Sequence, residues 1–208
     1  MEKVSRKTIE RLIIYRKILN QLKYSEISNI YSPKLGDLAG STAAQVRRDL
    51  MTIGYNGTPS KGYDVGDLEN SIGEYLDNPQ GQSVAIIGVG NLGSSLLDFC
   101  YWRYPNLSKI IAFDIDSSKV GTEINNCMVY HIDDMKKILP NENIEVAVIA
   151  VPEKEAQRTC DLLINHGIKG ILNYTPVRLL VPDNIFVEEL DMMIALERVS
   201  YFARVKKI

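Results

Sequence analysis

A strand-like run that leads into a glycine-rich loop is the first feature of the sequence that points to chemistry. The apolar residues 83–87 are followed directly by residues 88–93 (GVGNLG) and then by a predicted helix. In such a loop Gly88 permits the tight turn, Gly90 lets the backbone approach a pyrophosphate, and Gly93 lets the helix pack close to the strand. The start of the helix adds unpaired N–H groups and the positive end of its dipole. The motif predicts a dinucleotide site.

An acidic residue at the end of the next predicted strand strengthens this prediction. Asp114 ends the segment KIIAFD, 21 residues beyond Gly93. A carboxylate at this spacing accepts hydrogen bonds from the ribose hydroxyls of a dinucleotide, and it repels a 2′-phosphate. We therefore expect NAD(H) rather than NADP(H). An Asp that merely ends a strand is the less favoured interpretation.

Two more strand ends are expected at the same crevice, because ligands of parallel sheets bind beyond the carboxyl ends of the strands. The segments 150–152 (AVP) and 173–176 (NYTP) follow two apolar runs, and their prolines end the strands. We expect the side chains of Asn173 and Thr175 to face the ligand, although ordinary turn chemistry explains the same residues.

A second set of candidate residues lies in the basic amino-terminal third. Residues 1–63 carry 11 Lys and Arg against 5 Asp and Glu, whereas residues 64–208 carry 13 against 21. Arg47 and Arg48 are adjacent on a predicted helix, so their side chains diverge by about 100°. One can reach a base edge while the other contacts phosphate, and a merely solvated helix face is the alternative. The predicted DNA-contacting residues are Ser41, Thr42, Gln45, Arg47, Arg48 and Lys61.

Residues for hydride chemistry are scarce. A hydride-transferring enzyme usually places a His, Lys or Tyr near the nicotinamide to move a proton. His131 follows a short strand and His166 ends a helix, both outside the two loops expected beside the nicotinamide. Tyr174 is the remaining candidate, and a packing role suits it better. We predict no catalytic residue, and NAD(H) binding combined with a DNA-binding module indicates a sensor.

The amino-terminal elements that position these residues follow a known order. Helices are predicted over residues 4–22, 33–39 and 42–53, with Ser32 as the N-cap of the second, and the turn-rich segment 54–65 suits a short hairpin. This order predicts a winged helix-turn-helix. The apolar stripe of the first helix comprises Ile9, Leu12, Ile13, Arg16, Leu19 and Leu22. The stripe of the third comprises Ala43, Val46, Leu50 and Ile53, with Gln45, Arg47, Arg48 and Asp49 pointing elsewhere.

The remainder alternates between strands and helices after a linking helix over residues 67–76. Continuous apolar strands that alternate with helices predict a parallel sheet covered on both faces. The expected fold is α/β, a winged helix-turn-helix followed by a Rossmann-like doubly wound parallel sheet. Strands are predicted at 83–87, 109–113, 128–130, 146–150 and 170–172, and helices at 92–102, 133–138, 154–165 and 191–205.

The composition agrees with a folded intracellular protein. With 208 residues and 45% hydrophobic side chains, the chain can bury one large core or two small ones. Cys100, Cys127 and Cys160 form no C-x-x-C pair, so we expect neither a disulfide framework nor a metal site, and a cytoplasmic location. The sequence has no apolar run typical of a signal peptide or a membrane span.

The segments described above resemble the Rex family of redox-sensing transcriptional repressors along nearly the whole chain. The stretches that carry the resemblance are 46–50 (VRRDL), 88–93 (GVGNLG), 112–114 (AFD), 119–121 (KVG), 151–152 (VP) and 170–177 (GILNYTPV). Members of the family are homodimers that bind a palindromic operator when NADH is scarce and release it when NADH is bound. Their carboxyl-terminal helix is exchanged between subunits. The resemblance implies a repressor that responds to the NADH/NAD+ ratio.

The resemblance also implies roles for individual residues, with Arg47, Arg48 and Lys61 facing the operator. Residues implied to hold the adenosine and pyrophosphate half of the cofactor are Gly88, Gly90, Asn91, Leu92, Gly93 and Asp114. Residues implied to lie near the nicotinamide half are Val151, Pro152, Asn173 and Thr175.

Three residues are implied in switching. Arg16 and Asp191 match positions that form an inter-domain ion pair coupled to the bound nucleotide. Phe99 stands where the family often has a Tyr near the nicotinamide, so the hydrogen bond of that Tyr is missing. The wing also departs from the family, because Pro59-Ser60-Lys61 replaces an Arg and a glycine-rich run.

The expected domains are a winged-helix DNA-binding domain over residues 1–80, an NAD(H)-binding domain over 81–190 and a swapped helix over 191–208. Two alternatives stay open. In the first, the chain is an NAD-dependent oxidoreductase that acts on a small metabolite, and its basic amino-terminal helices serve only dimerisation. In the second, it is a scaffold that binds no nucleotide.

Overall fold

The computed structural model describes residues 4–58, 61–103 and 107–205. The chain divides into two units, Met1–Pro79 and Gln80–Ile208, each with its own core. Pro59 and Ser60 of the predicted wing, and the last three residues of the predicted swapped segment, lie outside the described residues. Within the described part of the chain, no helix has the length and apolar character needed to cross a membrane.

The first unit is a small helical domain with one two-stranded pairing. Side chains at helix starts accept backbone N–H groups: Ser5 caps the first helix, Thr42 the third and Asp64 the fourth. Gly40, in the left-handed region at φ +64°, ends the second helix and turns the chain. The elements are α1 (Arg6–Tyr24), β1 (Asn29–Ile30), α2 (Ser32–Ala39), α3 (Ala43–Thr52), β2 (Tyr63–Asp64) and α4 (Val65–Leu76).

Two local predictions for this unit need correction. Ser32 is the first residue of α2 rather than its N-cap, which is Tyr31 and makes no side-chain cap bond. The predicted hairpin is reduced to a single bridge between Thr58 and Gly62, because β2 pairs antiparallel with the distant β1 instead.

The buried face of α1 also differs from the predicted stripe. Leu12, Tyr15 and Leu19 are fully buried, whereas Ile13 is 49% exposed. Successive helical residues are about 100° apart, so a face centred on Leu12, Tyr15 and Leu19 turns Ile13 outward. The apolar spacing alone did not distinguish Tyr15 from Ile13 as the core residue.

The second unit is built on a sheet of seven strands among the described residues. Its order is β5-β6-β4-β3-β7-β8-β9, with β5 antiparallel and the other neighbours parallel. Without β5 this is the order 3-2-1-4-5-6 of a Rossmann fold. The strands are β3 (Gln82–Ile87), β4 (Leu107–Asp114), β5 (Glu123–Ile124), β6 (Cys127–His131), β7 (Val146–Ile149), β8 (Gly170–Asn173) and β9 (Phe186–Glu189). The helices are α5 (Asn91–Arg103), α6 (Met135–Asn141), α7 (Ala156–Asn165) and α8 (Met192–Val205).

Adjacent residues of the central strands pack into different cores. Ile87 and Phe113 belong to the cluster with residues of α6 and α7, whereas Ile86 and Ala112 belong to the cluster with residues of α5. The sheet is therefore covered on both faces, which explains why its strands are continuous apolar runs. The predicted doubly wound sheet is confirmed.

Every residue of the last described helix, α8, is exposed. No residue of α8 is buried within the single chain. Its large exposed apolar residues are Met192, Met193, Ile194, Leu196, Val199, Tyr201, Phe202 and Val205.

A buried charged network joins α1 to α3. Asp49, expected to point away from the core, is only 1% exposed. Arg11 donates to both of its oxygens, from Nε at 2.6 Å and from a terminal nitrogen at 2.7 Å, and the Tyr15 hydroxyl and the Gln45 amide donate at 3.0 and 2.9 Å. Burial raises the pKa of Asp49, but these hydrogen bonds outweigh it and hold the pKa below its ordinary value.

We predict that Asp49→Ala lowers the free energy of unfolding by about 3 kcal/mol, because it leaves Arg11 and Tyr15 without their partner in a buried site. Glu10→Ala is the matched control, since the Glu10–Arg6 pair is exposed and such pairs contribute under about 1 kcal/mol. Because the folded-state pKa of Asp49 is lowered, its contribution is complete above about pH 5 and declines as pH falls below about 4. Urea unfolding between pH 3 and 8 measures this, and equal losses in both variants would contradict the prediction.

Candidate functional site

A cleft of about 890 Å³ opens beyond the carboxyl ends of the central strands of the second unit. Its size is within the range of small-molecule sites. The ends of β3 and β4 and the residues that follow β7 contribute to its lining, as expected for a ligand crevice in an open parallel sheet. Predicted cofactor residues that line it are Gly88, Gly90, Asn91, Leu92, Asp114, Val151 and Pro152.

The three glycines of the loop are not equally constrained by the protein. Gly88 has φ +89°, and a Cβ there would lie 2.7 Å from the carbonyl oxygen of Ala150. Gly93 does not line the cleft, and a Cβ on it would lie only 1.9 Å from the carbonyl oxygen of Gly88. A Cβ on Gly90 would meet open space. Gly88 and Gly93 are therefore required by packing, whereas nothing in the protein itself requires Gly90, which leaves room for a ligand.

Asp114 is tied to the glycine loop. Its Oδ2 accepts the backbone N–H of Val89 at 2.7 Å, and its Oδ1 accepts the N–H of Asp116 at 2.9 Å. Lys119 Nζ lies 3.3 Å from Oδ2. Burial raises the pKa of Asp114, but the two N–H donors and Lys119 outweigh it, so the pKa lies below its ordinary value. The side chain is therefore an ionised acceptor at neutral pH.

The occupied positions on Asp114 limit what it can accept. A carboxylate offers about four acceptor positions, and three donors already use this one. About one position remains, so a single ribose hydroxyl fits better than the pair that we expected. Sequence analysis also missed Lys119 as a site residue, although the segment KVG contains it. Lys119 stands between Asp114 and Asp116, so the three side chains together remain negative.

Asn173 and Thr175 were expected to face the cleft, but neither residue lines it. Asn173 is fully buried and donates to the carbonyl of Val177 at 2.7 Å and to Glu189 at 2.5 Å. Its amide oxygen accepts both the N–H and the hydroxyl of Thr175. These side chains organise the turn after β8 and pin it to β9, so turn chemistry explains them.

Residues of α7 extend the cleft in a way that the sequence did not indicate. Thr159, Leu162 and His166 line it together with Val151. His166 caps the end of α7, as its position suggested, yet it also faces the crevice. Helical spacing of 159, 162 and 166 was the available signal, since such residues share one face.

The predicted DNA-contacting residues fall into two groups. Thr42 caps α3 and Gln45 donates to Asp49, so these two have internal roles, and Ser41 is half-buried. Arg47, Arg48 and Lys61 are exposed. The Arg47 guanidinium donates to the Ser32 hydroxyl at 2.9 Å.

The implied switch residues have partners within their own units. Arg16 donates to Asp77 at 2.6 Å in the first unit. Asp191 accepts the N–H groups of Met193 and Ile194 at 2.7 and 3.1 Å, which is a capping interaction at the start of α8. Phe99, on α5, is 57% exposed.

Each of the two units contains a segment that matches a known family model. Residues 3–50 match the family model of a putative DNA-binding protein N-terminus, and residues 80–177 match that of a CoA binding domain. The redox-sensing transcriptional repressor Rex of Geobacillus kaustophilus is 37% identical over 202 residues, 97% of this chain and 94% of that protein. The Rex protein of Staphylococcus haemolyticus is 35% identical over 202 residues, 97% of this chain and 95% of its own length.

The chain belongs to the Rex family of redox-sensing transcriptional repressors. Solved Rex-family structures match its whole length. The repressor RSP has a TM-score of 0.85 at 28% identity, covering 100% of this chain and 97% of its own. Its complex with β-NADH gives 0.86 at 29% over 100% and 97%, and its complex with β-NAD+ and operator DNA gives 0.88 at 29% over 100% and 95%. The predicted family is confirmed.

We predict opposite effects for two alanine substitutions in the glycine loop of this Rex-family chain. Gly93→Ala should lower the free energy of unfolding by about 3 kcal/mol or more, because its Cβ collides with backbone that cannot move without shifting α5. Gly90→Ala should change it little or raise it by about 0.5 kcal/mol, because Gly90 lies outside the left-handed region and faces open space. Urea unfolding measures both free energies, and equal losses of stability in the two variants would contradict the roles assigned to Gly93 and Gly90.

Proposed function

We propose that the protein is a redox-sensing repressor that binds operator DNA as a homodimer and releases it when NADH occupies the cleft of the second unit. The observation that carries this proposal is the full-length similarity to RSP, which has been solved with β-NADH and with β-NAD+ and operator DNA. The glycine loop and Asp114 supply the matching local chemistry. The relatives are named as repressors, so an oxidoreductase is not favoured.

In this proposal the first half of the cleft holds the adenosine and pyrophosphate. The phosphates lie over Gly90 and the start of α5, where N–H groups and the helix dipole favour anions. The carboxylate of Asp114 accepts one ribose hydroxyl, and Lys119 supports it as a neighbouring cation. Asn91 and Leu92 line the same region, while Val151 and Pro152 continue the cleft towards the nicotinamide.

The nicotinamide ring provides the difference between the two cofactor forms. The dihydronicotinamide of NADH is neutral and enters a closed apolar pocket at little cost, whereas the cationic ring of NAD+ has a desolvation penalty there. NADH therefore favours a closed dimer and shifts a pre-existing equilibrium. In the DNA-binding form, the two recognition helices lie about one DNA turn, ~34 Å, apart on a palindrome.

The DNA interface consists of the exposed cations of the first unit. Arg47 and Arg48 on α3 divide base and phosphate contacts between them, and Lys61 contacts the backbone or minor groove from the wing. The exposed apolar residues of α8 suit a surface of the partner subunit. Because a transcriptional repressor acts on the chromosome, we also propose a cytoplasmic location.

The proposal predicts a nucleotide-dependent release of DNA. An operator is first selected by the purified protein from a random duplex library, and its affinity is then measured by fluorescence anisotropy at fixed salt. Saturating NADH should weaken binding at least tenfold, whereas NAD+ should leave it nearly unchanged. Release by NAD+ with no effect of NADH would contradict the proposed direction.

A matched pair of variants should separate the two sites. Arg47→Ala with Arg48→Ala should abolish specific operator binding and leave NADH affinity intact, because each Arg–base or Arg–phosphate contact is lost. Lys7→Ala with Lys17→Ala removes two exposed charges from α1 as a control and should lower operator affinity less than about threefold.

Asp114→Ala should weaken NADH and NAD+ binding at least tenfold without affecting DNA binding in the absence of nucleotide. Unchanged NADH affinity in that variant would support the nucleotide-free scaffold, and sustained NADH consumption would support an enzyme.

A further inference from the structure

The exposed face of α3 combines charged and apolar side chains. Residues 44, 47, 48 and 51 follow the helical spacing of a single face, and all four are exposed. On the opposite side, Val46, Asp49 and Leu50 are buried. The outward stripe therefore presents two arginines flanked by Ala44 and Met51.

Met51 is the large apolar member of this stripe. Its side chain is 69% exposed, while the other large apolar residues of the helix, Val46 and Leu50, are buried. Met51 and Arg47 both line a groove of about 370 Å³ next to the predicted wing. The Arg47–Ser32 hydrogen bond keeps the guanidinium on the same side of the helix as this groove.

The base edges in the major groove offer few partners for an apolar side chain. Guanine presents two acceptors that suit an Arg, whereas the C5-methyl of thymine is the apolar group among these base edges. We propose, resting on the proposed function, that Met51 is a specificity-determining residue that contacts the methyl group of a thymine in each operator half-site. This adds to the DNA-contacting residues that the sequence indicated, none of which is apolar.

The position of that thymine follows from helix geometry. Met51 comes four residues after Arg47, which is about 6 Å along the helix axis. Base pairs are about 3.4 Å apart. The thymine therefore lies within about two base-pair steps of the contact made by Arg47.

The experiment removes the methyl group from the DNA and the side chain from the protein. In the operator selected by this protein, each thymine is replaced in turn by deoxyuridine, which differs only by the methyl group. At one thymine per half-site, the replacement should weaken binding about threefold to fivefold, the effect expected for one buried methyl group. Met51→Ala removes this contact from both half-sites of the dimer, so it should weaken binding to the unmodified operator by about the square of that factor, roughly tenfold to twenty-five-fold. The variant should show no further loss on the deoxyuridine operator. Met51→Leu should retain most of the sensitivity.

Controls distinguish a lost contact from a damaged protein. Met128→Ala removes a partly exposed Met of the second unit and should leave sensitivity to deoxyuridine unchanged. Met51→Ala should keep the wild-type unfolding midpoint and NADH affinity. If the variant binds the operator and every position keeps its wild-type sensitivity, the inference is overturned while the proposed function stands. If no operator can be selected at all, the proposed function fails and the inference fails with it.

Discussion

The close approach of α5 to the end of β3 is the constraint on which the second unit depends. It is possible only because Gly93 has no Cβ to meet the carbonyl of Gly88, and Gly88 itself takes a backbone conformation that other residues rarely adopt. Asp114, on the neighbouring strand, then holds the tip of the loop in place by accepting a hydrogen bond from the N–H of Val89. Two glycines and one carboxylate thus fix the helix start, the strand ends and the floor of the cleft together.

The sequence predicted the features that follow from periodicity and local backbone chemistry. Apolar runs located the central strands, and the glycine spacing located the loop. It missed β9, whose residues are mostly exposed and carry two glutamates, so no apolar signal marked it. Short β5 was missed for a similar reason. β9 is defined by its pairing with β8, which lies earlier in the chain and is not revealed by local sequence, whereas β5 forms a short hairpin with β6.

Polar side chains were the harder part of the prediction. Asp49 was expected in solvent because it is charged, but Arg11, Tyr15 and Gln45 supply enough donors to make its burial favourable. Asn173 and Thr175 were expected at the ligand, yet each satisfies the other inside the fold. Arg11 and Tyr15 lie 38 and 34 residues from Asp49 in the chain, and Glu189 lies 16 residues from Asn173. A single sequence gives the residue types but not these pairings.

Arg16 and Asp191 illustrate the same limit. Within the first unit Arg16 donates to Asp77, and within the second unit Asp191 accepts N–H groups at the start of α8. The inter-domain pair that the resemblance implied for these two residues stays a prediction.

The preformed acceptor at Asp114 has a consequence for how such a repressor measures redox state. NADH and NAD+ have the same adenosine, so the contact between Asp114 and the ribose contributes equally to the binding of both. The two forms therefore compete for one binding site. When the total concentration of NADH and NAD+ is high enough to saturate that site, this total no longer affects repression. The degree of repression then depends on the fraction of the dinucleotide that is reduced.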